Sequence, residues 1–210
     1  MRAITRAARD VFGAVWAWDG IDPSGGLDPL ILAEGALRNG VPLDPAREEA
    51  FRGRYTVILE EELRSNPAAV RALPGSREAV EVLRTRDHAV LGLLTGNYPT
   101  GAALKLRAAG FDPGWFPITA FGDEAPSRPA LGALALRKLE ERSGAPVDPR
   151  RVVIIGDTPR DVECARANGF TAYAVATGRH RIEDLRAAGA HICVRDLTDL
   201  APLLELIDAR

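Results

Sequence analysis

The sequence predicts an α/β fold in which a helical segment precedes a parallel, doubly wound sheet. Up to about residue 73 every periodic segment has a helical pattern, whereas from Pro74 onward helices alternate with short apolar strands. The clearest strand lies in RVVIIGDTPRDVECARANG at residues 151–169, where a β-branched run meets Gly156-Asp157 and a second acid, Asp161, opens a helix. Ligands of open α/β sheets bind at the carboxyl ends of such strands, so this segment is also the first candidate site.

Composition limits the class of protein. The chain has 210 residues, 46% hydrophobic and 27% charged, which suits one globular domain or a core with a smaller insert. A net charge of -2 argues against nucleic-acid binding and against a basic membrane-binding surface, and no apolar run approaches the ~20 residues that span a bilayer. Two cysteines without metal-ligand spacing indicate a reducing compartment, so we expect a cytoplasmic protein.

The helical segment begins with an arginine-rich stretch, residues 1–13, that has the composition of a mitochondrial transit peptide but the apolar period of an amphipathic first helix, which we favour. Asp28 and Asp44 are predicted N-caps, because each is followed by a proline at the first helical position. The helices predicted for this segment span residues 2–12, 29–38 and 45–64, with a short one after residue 66.

The second region alternates regularly between strand and helix. Single helical connections between successive strands imply that these strands run parallel in one sheet. The predicted strands are 89–94, 117–121, 152–156, 171–176 and 190–194, and the predicted helices are 76–86, 98–109, 128–143, 160–168, 181–188 and 197–207.

Polar residues with suitable chemistry follow three of these strands. Thr95-Gly96-Asn97 offers a hydroxyl and backbone N–H groups near a helix start, which suits a phosphate, although such a turn also occurs without a ligand. Arg128 could hold a phosphate through two parallel hydrogen bonds or be a solvated surface residue. Asp157 and Asp161 fit Mg²⁺, which prefers a few carboxylates and retained waters, although acids at a helix start also serve as caps.

Together these residues resemble motifs of a known family. LLTGN at 93–97, the basic residue at 128 and IIGDTPRDVECARANG at 154–169 resemble the second, third and fourth motifs of the haloacid dehalogenase-like (HAD) hydrolases, especially the phosphoglycolate phosphatase-like branch. The resemblance implies an α-helical cap over residues 1–73 and a Rossmann-like core over 74–210. It also implies a Mg²⁺-dependent phosphatase that hydrolyses a small phosphorylated metabolite in two steps through an aspartyl-phosphate.

The resemblance assigns a role to each residue. Thr95 would hydrogen-bond the transferring phosphoryl group with help from the Gly96 and Asn97 backbone. Arg128 stands where the family usually has lysine and would neutralise charge on the phosphoryl oxygens. Asp157 would bind Mg²⁺, and Asp161 would bind it too or orient the basic residue.

The substrate is less defined than these roles. The branch often has Gly-Arg-Thr-Asp where this chain has Gly25-Gly26-Leu27-Asp28, so a phosphoglycolate-like substrate is expected by analogy alone.

The family's nucleophile has no counterpart in the sequence. It lies in a DxDGT motif at the end of the first, central strand. AVWAWDGID at 14–22 is the nearest match, but it would place Asp19 as the second acid and Ala17, which cannot attack phosphorus, at the nucleophile position. We interpret this segment as part of the cap. We therefore expect the central first strand to be missing and Met1 to be internal to a longer protein.

A missing central strand has physical consequences. The strands ending at Thr95 and Asp157 would lose a neighbour, and each unsatisfied buried backbone group costs about 1–3 kcal/mol. We expect the sheet to be close to unfolding or to close up, and the exposed edges could drive association. The alternative to a phosphatase is a non-catalytic pseudo-phosphatase that binds a phosphorylated ligand or protein partner. We expect a monomer or homodimer with a small phosphorylated substrate and with neither nucleic acid nor membrane as partner.

Overall fold

A computed structural model describes residues 2–13 and 16–209. The predicted helices and strands are confirmed in type and order, although several strands are shorter than predicted. The helices are α1 (Arg2–Phe12), α2 (Asp28–Arg38), α3 (Pro45–Ser65), α4 (Ser76–Leu83), α5 (Pro99–Ala108), α6 (Arg128–Ser143), α7 (Pro159–Ala167), α8 (Ile182–Ala187) and α9 (Ala201–Asp208). Short 3-10 helices lie at Pro67–Ala69, Pro113–Trp115 and Pro149–Arg151. The strands are β1 (Gly92–Leu94), β2 (Ile118–Ala120), β3 (Val153–Gly156), β4 (Thr171–Val175) and β5 (Ile192–Val194).

One of the two predicted N-caps is confirmed. The Asp44 side chain accepts a hydrogen bond from the backbone N–H of Arg47, and Pro45 occupies the first turn of α3. The prediction for Asp28 is wrong, because Leu27 is the N-cap residue and Asp28 lies inside the first turn of α2. The Asp28 carboxylate instead accepts a hydrogen bond from the backbone N–H of Tyr98, so a tertiary contact replaces the local cap.

The helical segment, α1–α3, has its own apolar cluster, in which α1 packs along α3. The Trp16 ring is buried there, 4.9 Å from the Phe12 ring and 5.4 Å from the Trp18 ring. The Trp18 indole N–H donates to the Thr5 hydroxyl at 2.9 Å. Residues 14 and 15 lie outside the described part of the chain, and residues 16–22 form a loop against this cluster rather than a strand.

The strands form two separate parallel sheets. β1 pairs with β2, with Gly92 opposite Ile118, while β3, β4 and β5 form a second sheet in that order. Among residues 2–13 and 16–209, no strand pairs with the free edge of β1 or of β3. The α/β fold with parallel strands is confirmed, but the sheet is divided and has not closed up.

The division leaves strands partly exposed that a doubly wound sheet would bury. Ile155 in β3 is 39% exposed, whereas β4, which pairs on both sides, is buried at four of its five positions. Helix α6 contacts β1, β2 and α7, and α7 contacts β3 and β4, so α6 and α7 connect the two sheets. Within the described residues no helix is both long and apolar enough to cross a membrane.

The free edges predict a difference in backbone protection. In native-state hydrogen–deuterium exchange, β1 and β3 should exchange at least about tenfold faster than β4, because an amide facing an unpaired edge opens without breaking a ladder. The strand β4 serves as the internal control, since it pairs on both sides. Equal protection in β3 and β4 would show that another segment covers the free edge in solution.

Candidate active site

The turn after β1 is shaped by hydrogen bonds and by a close backbone approach. The Thr95 backbone N–H donates to the Ala120 carbonyl at 3.0 Å, and the Thr95 hydroxyl oxygen accepts from the Asn97 N–H at 3.2 Å. A Cβ at Gly96 would overlap the carbonyl oxygen of Gly26, so only glycine lets the two backbones meet here. The Thr95 hydroxyl keeps its own proton free to donate to a ligand.

The loop that leads into α2 holds this turn from the other side. The Asp28 backbone N–H donates to the Gly96 carbonyl at 2.7 Å, and the Tyr98 N–H donates to the Asp28 carboxylate at 3.0 Å. Burial raises the pKa of Asp28, although the positive charge of Lys105 and the Tyr98 N–H act in the opposite direction. The helical segment therefore fixes the turn through one buried acid.

Lys105 is a site residue that the sequence reasoning missed. Its ammonium donates to the Asn97 side-chain oxygen at 2.7 Å, and burial lowers its pKa while Asp28 opposes that change. It lies eight residues after Asn97, about two helical turns along α5. Two signals could have found it, namely this spacing and its being one of two lysines in an arginine-rich chain.

Arg128 is a paired residue rather than a solvated surface arginine. Its side chain is 13% exposed, and Nε and Nη2 donate to one Asp161 oxygen at 3.0 and 2.5 Å. Nη1 also donates to the Gly25 carbonyl at 3.3 Å. The Ser127 side chain caps α6 by accepting from the Ala130 N–H, which fixes the start of the helix that carries Arg128.

Both oxygens of Asp161 are already engaged. One accepts from Arg128, and the other accepts from the backbone N–H and the hydroxyl of Thr158 at 3.0 and 2.8 Å. Thr158 in turn caps α7, so the two residues form a capping box. The structure thus places Asp161 as a helix cap that also holds the basic residue.

Asp157 is the freer carboxylate of the pair. It lies at the end of β3, half-buried, and burial raises its pKa, with the nearby Asp161 charge adding to the effect. A Cβ at Gly178 would overlap the Asp157 carboxylate, so the loop after β4 packs directly against it. A cation placed here would stabilise the ionised form of Asp157.

The donor set fits one kind of metal better than others. The described residues contain no group of three or more His, Cys, Asp or Glu side chains that could hold a metal ion by themselves. Mg²⁺ does not require such a cage, because it binds through one or two carboxylates and completes its shell with water and substrate phosphate. The residues therefore fit Mg²⁺ at Asp157, with Asp161 engaged in holding Arg128.

The structure brings four of the six predicted site residues together in one cavity, and Asp157 and Asp161 are not among the residues that line it. Thr95, Gly96, Asn97 and Arg128 line one cavity of about 510 Å³ between the helical segment and the sheets. Arg128 links this cavity to Asp161, and its charge reaches Asp157.

Two comparisons with known proteins found similar sequences. Residues 126–200 match the family model described as HAD-hydrolase-like. The chain is 27% identical over 176 residues to the "Probable phosphatase IndB" of Dickeya dadantii, a match that covers 82% of this chain and 72% of that protein.

Solved structures have the same fold. A hydrolase from Pseudomonas syringae superposes with a TM-score of 0.72 at 22% identity, covering 98% of this chain and 90% of that one. A predicted phosphoglycolate phosphatase from Haemophilus somnus gives 0.63 at 19% identity, covering 96% and 88%. CbbY from Rhodobacter sphaeroides, in complex with phosphate, gives 0.69 at 21% identity, covering 95% and 89%.

The chain has the fold of these solved structures, and residues 126–200 resemble the haloacid dehalogenase-like hydrolases. The resemblance that the motifs indicated is confirmed, and the relatives include proteins described as phosphatases.

The ion pair at the site predicts a stability effect. Asp161→Ala should lower the free energy of unfolding by about 3 kcal/mol, because it leaves the buried Arg128 guanidinium without its partner. Asp22→Ala, which breaks the exposed Asp22–Arg179 pair, is the control and should cost less than about 1 kcal/mol. Urea unfolding measures the loss of stability in both variants. Equal losses would contradict the larger effect expected for the Asp161–Arg128 pair.

The pKa of Asp157 predicts a pH dependence. A raised pKa means that the folded state favours the protonated acid, so Asp157 lowers stability increasingly as the pH rises above 3.8 and fully once the pH exceeds the raised pKa. Asp157→Asn should therefore stabilise the metal-free protein near neutral pH, and the gain should vanish as the pH falls toward the ordinary value of 3.8. Asp148 is the control, because Arg150 lowers its pKa to about 2 and its effect on stability should have the opposite sign. Asp148→Asn should lower stability near neutral pH, and unfolding curves at several pH values test both variants.

Proposed function

We propose that this protein is a Mg²⁺-dependent phosphatase that acts on a small phosphorylated metabolite, phosphoglycolate-like by analogy. The observation that carries the proposal is the convergence of the Thr95-Gly96-Asn97 turn and Arg128 on one cavity, with Arg128 bonded to Asp161 beside Asp157. A hydroxyl donor, a cation and a carboxylate pair are what phosphoryl transfer requires of a protein besides its nucleophile.

Each residue would act in a distinct way. The Thr95 hydroxyl, which accepts from the Asn97 N–H, would donate its proton to a phosphoryl oxygen. Arg128 would contribute positive charge, and Asp161 would keep its guanidinium in place through two hydrogen bonds. Mg²⁺ bound at Asp157 would neutralise charge on the phosphoryl oxygens. The aspartate that forms the aspartyl-phosphate is not supplied by the 210 residues in this proposal.

The proposal also covers the partner, the oligomeric state and the cellular compartment. The partner would be a small phosphorylated substrate rather than nucleic acid or membrane, the protein would be a monomer or homodimer, and it would act in the cytoplasm.

A second function is favoured by the divided sheet. No described strand pairs with the free edge of β1 or of β3, where a central strand would carry an aspartate into the site. A pseudo-phosphatase that binds a phosphorylated ligand or protein would need only the residues that are present. Reading the DNA upstream of the Met1 codon separates the two functions. In-frame codons for an apolar strand followed by Asp-x-Asp-Gly would support the phosphatase, and an immediate in-frame stop would support the pseudo-phosphatase.

Phosphate binding tests the site itself. In calorimetric titrations, Mg²⁺ should strengthen binding of orthophosphate, and Asp157→Asn should remove that dependence. Thr95→Val should weaken binding by about tenfold, the effect of losing one hydrogen bond to a charged group. Thr100→Val is the matched control, because Thr100 is exposed on α5. Failure of the wild-type chain to bind orthophosphate would overturn both functions.

Turnover of p-nitrophenyl phosphate tests the missing nucleophile. We expect no Mg²⁺-dependent hydrolysis by the 210-residue chain. Hydrolysis that Asp157→Asn abolishes would show that one of these residues attacks phosphorus, contrary to this reading.

A further inference from the structure

The cavity beside the phosphate turn is larger than a phosphate requires. Its volume of about 510 Å³ falls within the ~300–1,000 Å³ range typical of sites that enclose drug-sized ligands. Thr95, Asn97 and Arg128 supply its phosphate-binding part, and the rest of its wall comes largely from the helical segment. A phosphoryl group alone would leave most of the volume unfilled.

The helical segment contributes five aliphatic side chains to the wall, beside the charged residues Arg2, Asp28 and Glu62. Residues Ile4, Ile31, Leu59, Leu63 and Val70 line the cavity. They come from α1, α2, α3 and the residue after the first 3-10 helix. Water in contact with such a surface is unfavourable, so the wall favours a ligand with an apolar body.

Two of the three cations among the described residues that line the cavity have partners within the protein. The Lys105 ammonium bonds the Asn97 side chain and interacts with the Asp28 charge, while the Arg128 guanidinium bonds Asp161. Arg2 and Glu62 also line the cavity. The carboxylate of a substrate such as phosphoglycolate would meet the acidic side chains of Asp28 and Glu62 in the same cavity.

We infer that the site takes a phosphate monoester whose alcohol is medium-sized and apolar rather than a short acid. This inference rests on the proposed phosphate binding and replaces the phosphoglycolate-like substrate expected by analogy with a different substrate class. The phosphate would lie at Thr95 and Arg128, and the apolar alcohol would contact the wall formed by Ile31, Leu59 and Leu63.

Calorimetric titration of the 210-residue chain with Mg²⁺ tests the inference. Orthophosphate, methyl phosphate, phenyl phosphate and 2-phosphoglycolate are the probes. Phenyl phosphate should bind at least about tenfold more tightly than methyl phosphate, because its ring covers apolar wall that a methyl group does not reach. 2-Phosphoglycolate should bind no more tightly than methyl phosphate.

Matched variants locate the effect. Leu63→Gln and Val70→Gln each place an amide on the cavity wall, and both positions are only partly buried, so the fold should tolerate them. Either variant should reduce the preference for phenyl over methyl phosphate to less than about threefold while leaving orthophosphate affinity unchanged. Val57→Gln is the control on α3, because Val57 is 47% exposed and lies outside the cavity wall. Thermal unfolding confirms that each variant is folded.

The outcomes separate the inference from the proposed function. If orthophosphate binds but phenyl phosphate gains nothing, or phosphoglycolate binds most tightly, the inference is overturned and the proposed function stands. A preference for phenyl phosphate that persists in both wall variants also overturns it. If no probe binds, orthophosphate included, the proposed function itself fails.

Discussion

The arrangement of the site depends on the carboxylate of Asp161. One of its oxygens accepts two hydrogen bonds from Arg128 at the start of α6, and the other completes the cap of α7 at Thr158. Two helices that approach the site from different parts of the chain are thereby joined at their first turns. A buried ion pair contributes little net stability, but breaking it is costly, so the pair fixes position more than it strengthens the fold.

The divided sheet lowers the stability of the fold. β1 and β3 each have one unpaired edge, and Ile155 remains partly exposed where a central strand would be covered. Domains are stable by only about 5–15 kcal/mol, so a few unsatisfied backbone groups use a large part of that margin. The two sheets are nevertheless connected by α6 and α7, because α6 packs on the first sheet, α7 packs on the second, and the two helices contact each other.

The contact between the helical segment and the phosphate turn gives the cavity its shape. Gly26 and Gly96 meet backbone to backbone, and the buried Asp28 bonds both the Gly96 carbonyl and the Tyr98 N–H. The same segment therefore bounds the cavity and supplies its aliphatic side chains. This loop therefore couples recognition of the phosphate to recognition of the rest of a ligand.

Local sequence patterns were enough to predict the order of helices and strands and most residues of the candidate site. Apolar period, proline position and capping chemistry act over a few residues, as at Asp44 and in the run before Asp157. Three features became visible only in the folded structure: the contact of Asp28 with Tyr98, the bond from Lys105 to Asn97 in the site, and the division of the sheet. Each of these features depends on which distant segment contacts a residue after folding. The neighbouring sequence does not identify that segment.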